Sequence, residues 1–159
     1  MDMLVDLLKL PSLEAEVSAL KGAGVVVRRA EAFEMSLVRE FVEKHFSSAW
    51  SDEISVGYAN KPVSIYVAVR EGELVGFGAY ECTRRGFFGP MGVVESERGR
   101  GVGRALLVSC LWGLRELGYV YGIIGGVGPA EFYERAVGAI PIPESSPGIY
   151  RDMLRHQRD

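Results

Sequence analysis

Apolar residues recur along the chain with two different periods, and each period predicts a different kind of element. A period of two is typical of half-buried strands, and it predicts a strand over residues 63–69. Turns at Glu71-Gly72 and Arg85-Gly86 extend this strand to a three-strand meander with residues 73–83 and 87–94. Spacings of three and four are typical of amphipathic helices, which are predicted over residues 13–21, 33–46, 103–117 and 129–137. Further strands are predicted over residues 24–29 and 119–127, and residues 47–60 are mixed between a loop and a short helix.

The order of these elements predicts one α/β domain with a mixed sheet. A first strand and helices come before the meander, and a helix, a strand, a helix and a proline-broken hairpin over residues 139–154 come after it. Pro90 lies within the last strand of the meander and has no N–H to donate to a ladder, which predicts a β-bulge or a sheet edge there. A length of 159 residues agrees with a single domain.

Composition narrows the class of protein. The chain has 18 basic and 21 acidic residues, a balance that argues against binding to nucleic acid. Cys82 and Cys110 lack C-x-x-C spacing and are expected to be reduced and buried. His45 falls on an apolar helix face, which predicts a core or interface histidine, and His156 is too far along the chain to share a metal with it. No apolar run reaches the roughly 18 residues of a membrane span. The acidic, interrupted start is unlike a signal peptide, so a cytoplasmic protein is expected.

The segment SERGRGVGRALL, residues 96–107, combines glycines and arginines between a predicted strand and a predicted helix. The first N–H groups of a helix have no partners within the helix and carry the positive end of its dipole. Glycines allow a phosphate to come close to these N–H groups, and arginines add charge-assisted hydrogen bonds. The segment therefore predicts a polyphosphate site. It lacks the P-loop pattern, and its G-x-G-x-G spacing departs from the dinucleotide fingerprint.

This loop resembles the R/Q-x-x-G-x-G/A signature of the GNAT N-acetyltransferase superfamily, and Phe132-Tyr133-Glu134 looks like that family's second conserved segment. The element order is similar over residues 24–155. The resemblance implies a single-domain GNAT-like fold, with a mixed, mostly antiparallel sheet flanked by helices. The sheet is expected to splay between its fourth strand, residues 87–94, and its fifth, residues 119–127. Residues 1–23 are then an N-terminal extension, and residues 24–159 form the acetyltransferase domain.

The resemblance also implies roles for particular residues, with acetyl-CoA as co-substrate. Tyr133 would protonate the departing CoA thiolate. Backbone near Val93 would polarise the thioester carbonyl. The residues implied to bind the cofactor are Met91, Val93, Arg98, Gly99, Arg100, Gly101, Val102, Gly103 and Arg104.

Two departures from the family pattern concern the second segment. Many members carry an asparagine on the strand before this helix, whereas this chain has glycines around Gly126. The segment from Tyr133 to Gly138 is also one residue longer than the common pattern. Both differences affect the expected contacts to pantetheine.

The general base is not evident from the sequence. Glu81 on the second meander strand is assigned to this role, and Glu95 before the loop is the other candidate. Trp50, Asp52 and Glu53 lie where early helices of the family form a wall of the acceptor site, and an aromatic ring beside acids suits a cationic amine.

The function predicted is acetyl transfer from acetyl-CoA to a primary amine by direct attack in a ternary complex. The acceptor is a small molecule or a peptide, without nucleic acid or membrane. The alternatives are a non-catalytic acyl-CoA-binding sensor and a nucleotide-binding protein of unrelated chemistry. The C-terminal hairpin leaves two alternatives open, a homodimer edge and a protected edge.

Overall fold

The computed structural model describes residues 1–155, which contain seven strands and five α-helices. The strands are β1 (Met3–Asp6), β2 (Val26–Arg29), β3 (Ile65–Arg70), β4 (Glu73–Tyr80), β5 (Phe87–Val93), β6 (Tyr121–Ile124) and β7 (Ile140–Pro141). The helices are α1 (Leu13–Gly22), α2 (Met35–His45), α3 (Ser48–Ala59), α4 (Val102–Glu116) and α5 (Ala130–Val137). Short 3-10 helices cover Leu7–Lys9, Ala32–Glu34, Glu95–Glu97 and Gly148–Tyr150.

The strands form one sheet in the order β2-β3-β4-β5-β6-β1-β7. Every neighbouring pair is antiparallel except β5 and β6, which are parallel. The predicted α/β class and the mostly antiparallel sheet are therefore confirmed. The mixed region 47–60 is largely helical, because Ser47 caps α3 by accepting a hydrogen bond from the Trp50 N–H at 3.2 Å.

The N-terminal residues are built into this sheet. β1 lies between β6 and β7, pairing Met3 with Ile124 on one side and with Pro141 on the other. Met3 and Val5 are buried in the main core. The boundary at residue 23 stays a prediction, but residues 3–22 share the sheet and the core of the rest of the chain.

The predicted C-terminal hairpin is wrong. Only Ile140 and Pro141 form a strand, and they pair with β1 at the N-terminus and not with a neighbouring C-terminal strand. The later prolines have no N–H to donate to a ladder, and a 3-10 turn forms over Gly148–Tyr150 instead.

Helices cover both faces of the sheet. α4 packs on one face together with α1, and it is buried along most of its length. α2 and α3 pack on the other face, around Val42, Ile54 and Phe77, none of which is accessible to solvent. α5 places Ala136 and Val137 on the α4 side.

The sheet opens between β5 and β6. The two strands pair only at Phe87 with Ile123 and at Phe88 with Ile124. Directly after these residues the register between β4 and β5 shifts, because two residues lie between Phe88 and Met91 whereas one lies between Gly78 and Tyr80. The bulge predicted at Pro90 is confirmed, and so is the splay between these strands. The opening leaves one edge of β5 without a strand partner beyond Phe88.

Several side chains can be placed outside any ligand role. Cys82 and Cys110 are buried and free, as predicted. His45 is exposed at the end of α2, where it packs beside the Phe41 ring, so the expected core position is wrong. His156 lies outside the described residues. Within residues 1–155, no three His, Cys, Asp or Glu side chains are grouped as metal ligands, and no helix has the length and hydropathy to cross a membrane.

Candidate active site

The loop before α4 presents free backbone N–H groups to open space. Gly101 caps the helix with a φ of +87°, and no side chain caps it. The first intrahelical hydrogen bond runs from the Ala105 N–H to the Gly101 carbonyl, so the preceding N–H groups have no intrahelical acceptor. A Cβ atom added at Gly99 or Gly101 would meet nothing within 4 Å. An anion can therefore approach the backbone here without moving a side chain.

The three arginines of the loop have different surroundings. Arg98 donates from Nε to the Val93 carbonyl at 3.0 Å, which ties the loop to β5. Arg104 donates from Nε to Glu16 of α1 at 2.6 Å. Arg100 lies 3.9 Å from a Glu97 oxygen, and its side chain is 62% exposed against 37% for Arg104. Arg100 is thus the more available of these two cations.

An ion pair between Arg70 and Glu97, with the carboxylate buried and the guanidinium partly exposed, holds the segment before the loop against β3. Arg70 of β3 donates two hydrogen bonds to Glu97, at 2.8 and 3.1 Å. Glu97 is only 7% exposed, and the Arg70 guanidinium lowers the pKa of its carboxyl. The pair joins the 3-10 turn before the loop to the end of β3, the second strand of the sheet. No local sequence pattern indicates this contact, since the two residues are 27 positions apart in the chain.

A cleft of about 290 Å³ fills the opening between β5 and β6. Met91 lines one side, and Gly125 to Pro129 line the other. The cleft begins beside the loop, because a Cβ at Gly103 would lie 3.8 Å from Met91, Val93 and Phe132. The structure therefore brings Met91 and Val93 together with the glycines of the loop.

Tyr133 projects from α5 into the same cleft. Its ring makes edge contacts with Phe88 and Phe132, with centroid distances of 6.1 and 5.1 Å. Burial raises the pKa of its hydroxyl, so the phenol keeps its proton at neutral pH. The hydroxyl has no hydrogen-bond partner among the described residues, and it is free to serve a ligand.

The two carboxylates considered as general bases lie away from Tyr133. Glu81 turns into the connection between β4 and β5, where its carboxylate accepts a hydrogen bond from the Gly86 N–H. It lines neither the cleft nor the cavity next to it. Glu95 is exposed in the 3-10 turn before the loop. The structure does not bring Glu81 or Glu95 together with Tyr133.

A different carboxylate reaches the cleft from α3. A second cavity of about 110 Å³ contains Glu53, and it shares walls with the first: Trp50, Phe88, Gly89, Pro90, Gly125 and Gly126. Thr83 donates from Oγ1 to Glu53 at 2.9 Å, and burial raises the pKa of the Glu53 carboxyl. Of these residues, Trp50 and Glu53 were the ones that the sequence placed at the acceptor site, and Gly126 was expected near pantetheine.

The glycines that replace the family's asparagine make room for aromatic rings. A Cβ at Gly125 would lie 2.9 Å from the Phe87 ring. One at Gly126 would lie 3.0 Å from the Tyr150 ring. Phe87 and Tyr150 both line the smaller cavity. The glycine run therefore lets two rings reach the backbone and wall this cavity, which no local sequence signal indicated.

A family model described as an acetyltransferase (GNAT) domain matches residues 61–136, from before β3 to near the end of α5. This range contains the bulge in β5, the glycine-arginine loop and Tyr133. No curated protein matches the chain.

Solved structures are similar in fold. A GCN5-related glucosamine N-acetyltransferase region of a fungal multi-domain GH3 β-N-acetylglucosaminidase has a TM-score of 0.69 at 17% identity, covering 86% of this chain and 19% of that one. A GCN5-related N-acetyltransferase from Sphaerobacter thermophilus has 0.63 at 22% identity, covering 87% and 47%. A GNAT family acetyltransferase from Brucella melitensis, in complex with acetyl-CoA, has 0.55 at 20% identity, covering 70% and 80%. The chain thus spans about a fifth of the fungal protein and about half of the Sphaerobacter protein.

Proposed function

Because this chain belongs to the GNAT acetyltransferase superfamily, we propose that it transfers an acetyl group from acetyl-CoA to a primary amine by direct attack in a ternary complex. One observation carries the proposal. Met91 joins the start of α4 to the cleft, since it lies 3.8 Å from a Cβ at Gly103 and lines the cleft, and the cleft shares six wall residues with the Glu53 cavity.

The residues present fit acetyl-CoA as co-substrate. The open space above Gly99 and Gly101 suits the pyrophosphate, which the α4 N–H groups would bind. Arg100 would add positive charge from the solvent side. The unpaired edge of β5 offers backbone groups to an extended amide chain such as pantetheine, with Met91 beside it. Val93 and Arg98 hold this edge and the loop together.

Tyr133 would supply the proton for the leaving group. As the amine nitrogen forms its bond to the acetyl carbon, the carbon–sulfur bond breaks and sulfur keeps the electron pair. A thiol has a pKa near 8.5, so a phenol with a raised pKa protonates its thiolate only when the two are held within hydrogen-bond reach. The unpartnered hydroxyl in the cleft supports this role.

Calorimetric titration with acetyl-CoA, with NAD and ATP as controls, tests the proposal. We expect micromolar binding of acetyl-CoA alone, because only acetyl-CoA has an arm that follows the cleft. No binding of acetyl-CoA up to about 1 mM would remove the proposal. Release of CoA thiol on addition of an amine then separates an enzyme from a sensor, which binds acetyl-CoA and releases no thiol with any amine.

A further inference from the structure

The small cavity beyond the cleft has the features of an ammonium site. We propose that Trp50 and Glu53 bind the ammonium group of an unbranched aliphatic primary amine, and that Glu53 takes the proton which this nitrogen must lose before attack. The inference rests on the proposed function, since it assigns the acceptor side of that reaction.

The charge of the cavity is the first support. Glu53 is half-buried, and Thr83 holds one of its oxygens at 2.9 Å. No lysine or arginine of the described chain lines the cavity or forms an ion pair with Glu53. A carboxylate withdrawn from water costs free energy unless a cation joins it. A cationic ligand would supply the positive charge that no protein side chain places beside Glu53.

The walls are the second support. Trp50, Phe87, Phe88 and Tyr150 surround the carboxylate. Trp50 is fixed by stacking on Phe46, at a centroid distance of 5.4 Å and an angle of 30°. Aromatic faces attract cations through their quadrupole, and tryptophan does so most strongly. A carboxylate among fixed rings selects an ammonium over a neutral or anionic group.

The size of the cavity limits the size of the amine that can enter it. Its volume is about 110 Å³. A cavity of about 150 Å³ holds a molecule the size of benzene. The space beside Glu53 therefore suits the end of an aminoalkyl chain and is smaller than a cavity that encloses a six-membered ring. This separates the expected acceptor from glucosamine, which is named for the fungal relative of similar fold.

The protons balance along this route. The ammonium gives one proton to the Glu53 carboxylate, which later passes it to water. The neutral nitrogen then bonds to the acetyl carbon while the carbon–sulfur bond breaks. The nitrogen loses a second proton, which restores the one that Tyr133 gives to sulfur. The products are an N-alkyl acetamide, CoA thiol and one proton in solution.

Steady-state turnover of acetyl-CoA with three amines tests the proposal. n-Butylamine and tert-butylamine have the same atoms but differ in branching at the carbon that bears nitrogen, and glucosamine carries its amine on a ring. We expect kcat/KM for n-butylamine to exceed that for each of the others at least tenfold. Turnover of tert-butylamine or glucosamine at the same rate would overturn the assignment.

The role of Glu53 is tested by Glu53→Gln, with Glu43→Gln as the matched control. Glu43 is exposed on α2 and lines neither cavity. Asp52, expected in the acceptor wall, is also exposed and lines neither cavity. We expect Glu53→Gln to lower kcat/KM for n-butylamine about a hundredfold, a typical loss for a general base, and Glu43→Gln to change it less than twofold. Thr83→Val, which releases Glu53 from its hydrogen bond, should cause a smaller loss. Full activity of Glu53→Gln would overturn the proposal.

Binding of acetyl-CoA, measured beside turnover, separates the two levels of inference. If wild-type protein does not bind acetyl-CoA, the proposed function itself fails, and the acceptor assignment fails with it. If it binds acetyl-CoA but acetylates none of the three amines, or acetylates glucosamine independently of Glu53, only the acceptor assignment fails. Unchanged acetyl-CoA binding by Glu53→Gln is the result expected if Glu53 serves the acceptor alone.

Discussion

Glu97, beside the loop before α4, is buried, and Glu53, in the cavity at the other end of the cleft, is half-buried. The surroundings of these two carboxylates differ in charge. Arg70 makes two hydrogen bonds to Glu97 under the loop and lowers its pKa. Glu53 has a threonine and aromatic rings around it, and burial raises its pKa. We therefore expect the paired carboxylate to stabilise the fold. We expect the carboxylate without a cation to destabilise it, which is the usual cost of a group kept for a ligand.

The largest effect expected is the loss of affinity for acetyl-CoA caused by Gly103→Glu at the loop. A Cβ at Gly103 makes only ordinary contacts at 3.8 Å, and an acidic side chain in the first turn favours the helix dipole. The same charge repels a pyrophosphate. Calorimetry should therefore show at least a hundredfold weaker binding of acetyl-CoA, with Tm unchanged or higher. Gly103→Gln has similar bulk without charge and should lose much less affinity. Equal losses in both variants would mean that space, and not charge, limits binding.

Tyr133→Phe comes next, in the middle of the cleft. The hydroxyl has no protein partner to lose, so we expect an unchanged Tm and unchanged acetyl-CoA binding. Turnover should fall because the leaving thiolate lacks its acid, with kcat about a hundredfold lower, as is typical for loss of a general acid. Steady-state kinetics with n-butylamine measures this, and wild-type kcat in the variant would exclude Tyr133 as the acid.

At the cavity end, Tyr150→Ala should act on the acceptor alone. Tyr150 is 41% exposed and forms a wall of the cavity, so its loss removes one aromatic face without opening the core. A cation–π contact at such a site corresponds to roughly a fivefold effect. We expect KM for n-butylamine to rise several-fold at unchanged kcat. Tyr121→Ala removes another exposed tyrosine, on β6, and serves as control. A similar rise in KM in that variant would contradict the assignment.

The smallest effects expected are changes in Tm, and they should have opposite signs for Glu97→Gln and Glu53→Gln. Glu97 has a pKa below its ordinary value of 4.5, so its stabilisation is present above that value and is lost as the pH falls. Glu97→Gln should lower Tm by a few degrees at pH 7, and the difference should shrink below about pH 4.5. Glu53 has a raised pKa, so its charged form is disfavoured in the folded state.

Glu53→Gln removes that penalty and should raise Tm slightly at pH 7. The gain should disappear at acidic pH, where wild-type Glu53 is itself neutral. Scanning calorimetry from pH 7 to pH 4 compares both variants with wild type. A fall in Tm for Glu53→Gln at pH 7 would show that the carboxylate contributes to the fold, and the contrast between the two ends would be lost.

The phosphate site at the loop was predictable because the residues that form it are contiguous in the sequence. Glycines, arginines and the start of a helix lie within residues 96–107, so short-range rules apply to all of them at once. The bulge at Pro90 was predictable for the same reason, since one residue type determines it. The pair of Arg70 and Glu97 was not, because the register of β3 brings Arg70 to the loop.

The acceptor cavity was hidden because segments far apart in the chain supply it. Glu53 and Trp50 come from α3, Thr83 from the β4–β5 connection, and Tyr150 from the C-terminal turn. Glu81 looked equally suitable in sequence, but the turn after β4 directs its carboxylate to the Gly86 N–H. Which of two carboxylates reaches the cleft depends on turn geometry that residue patterns do not encode.

The ends of the chain were misread for a related reason. β1 has four residues, too few for an alternating pattern to stand out, and its partners lie more than a hundred residues away. The same strand takes the pairing that a C-terminal hairpin was expected to provide. Long-range pairing also positions the glycine run, since Asp2 accepts a hydrogen bond from the Gly126 N–H at 2.9 Å.

The central claim is that the loop and the Glu53 cavity are the two ends of one site. Calorimetry with a bisubstrate conjugate, in which CoA sulfur is joined through an ethylene bridge to the nitrogen of n-butylamine so that this nitrogen stays an ammonium, tests it most directly. The account predicts that the conjugate binds at least a hundredfold more tightly than CoA, because the second contact becomes intramolecular, and that Glu53→Gln abolishes most of this gain. An affinity equal to that of CoA in both proteins would contradict the account, since the amine would then lie outside the cavity.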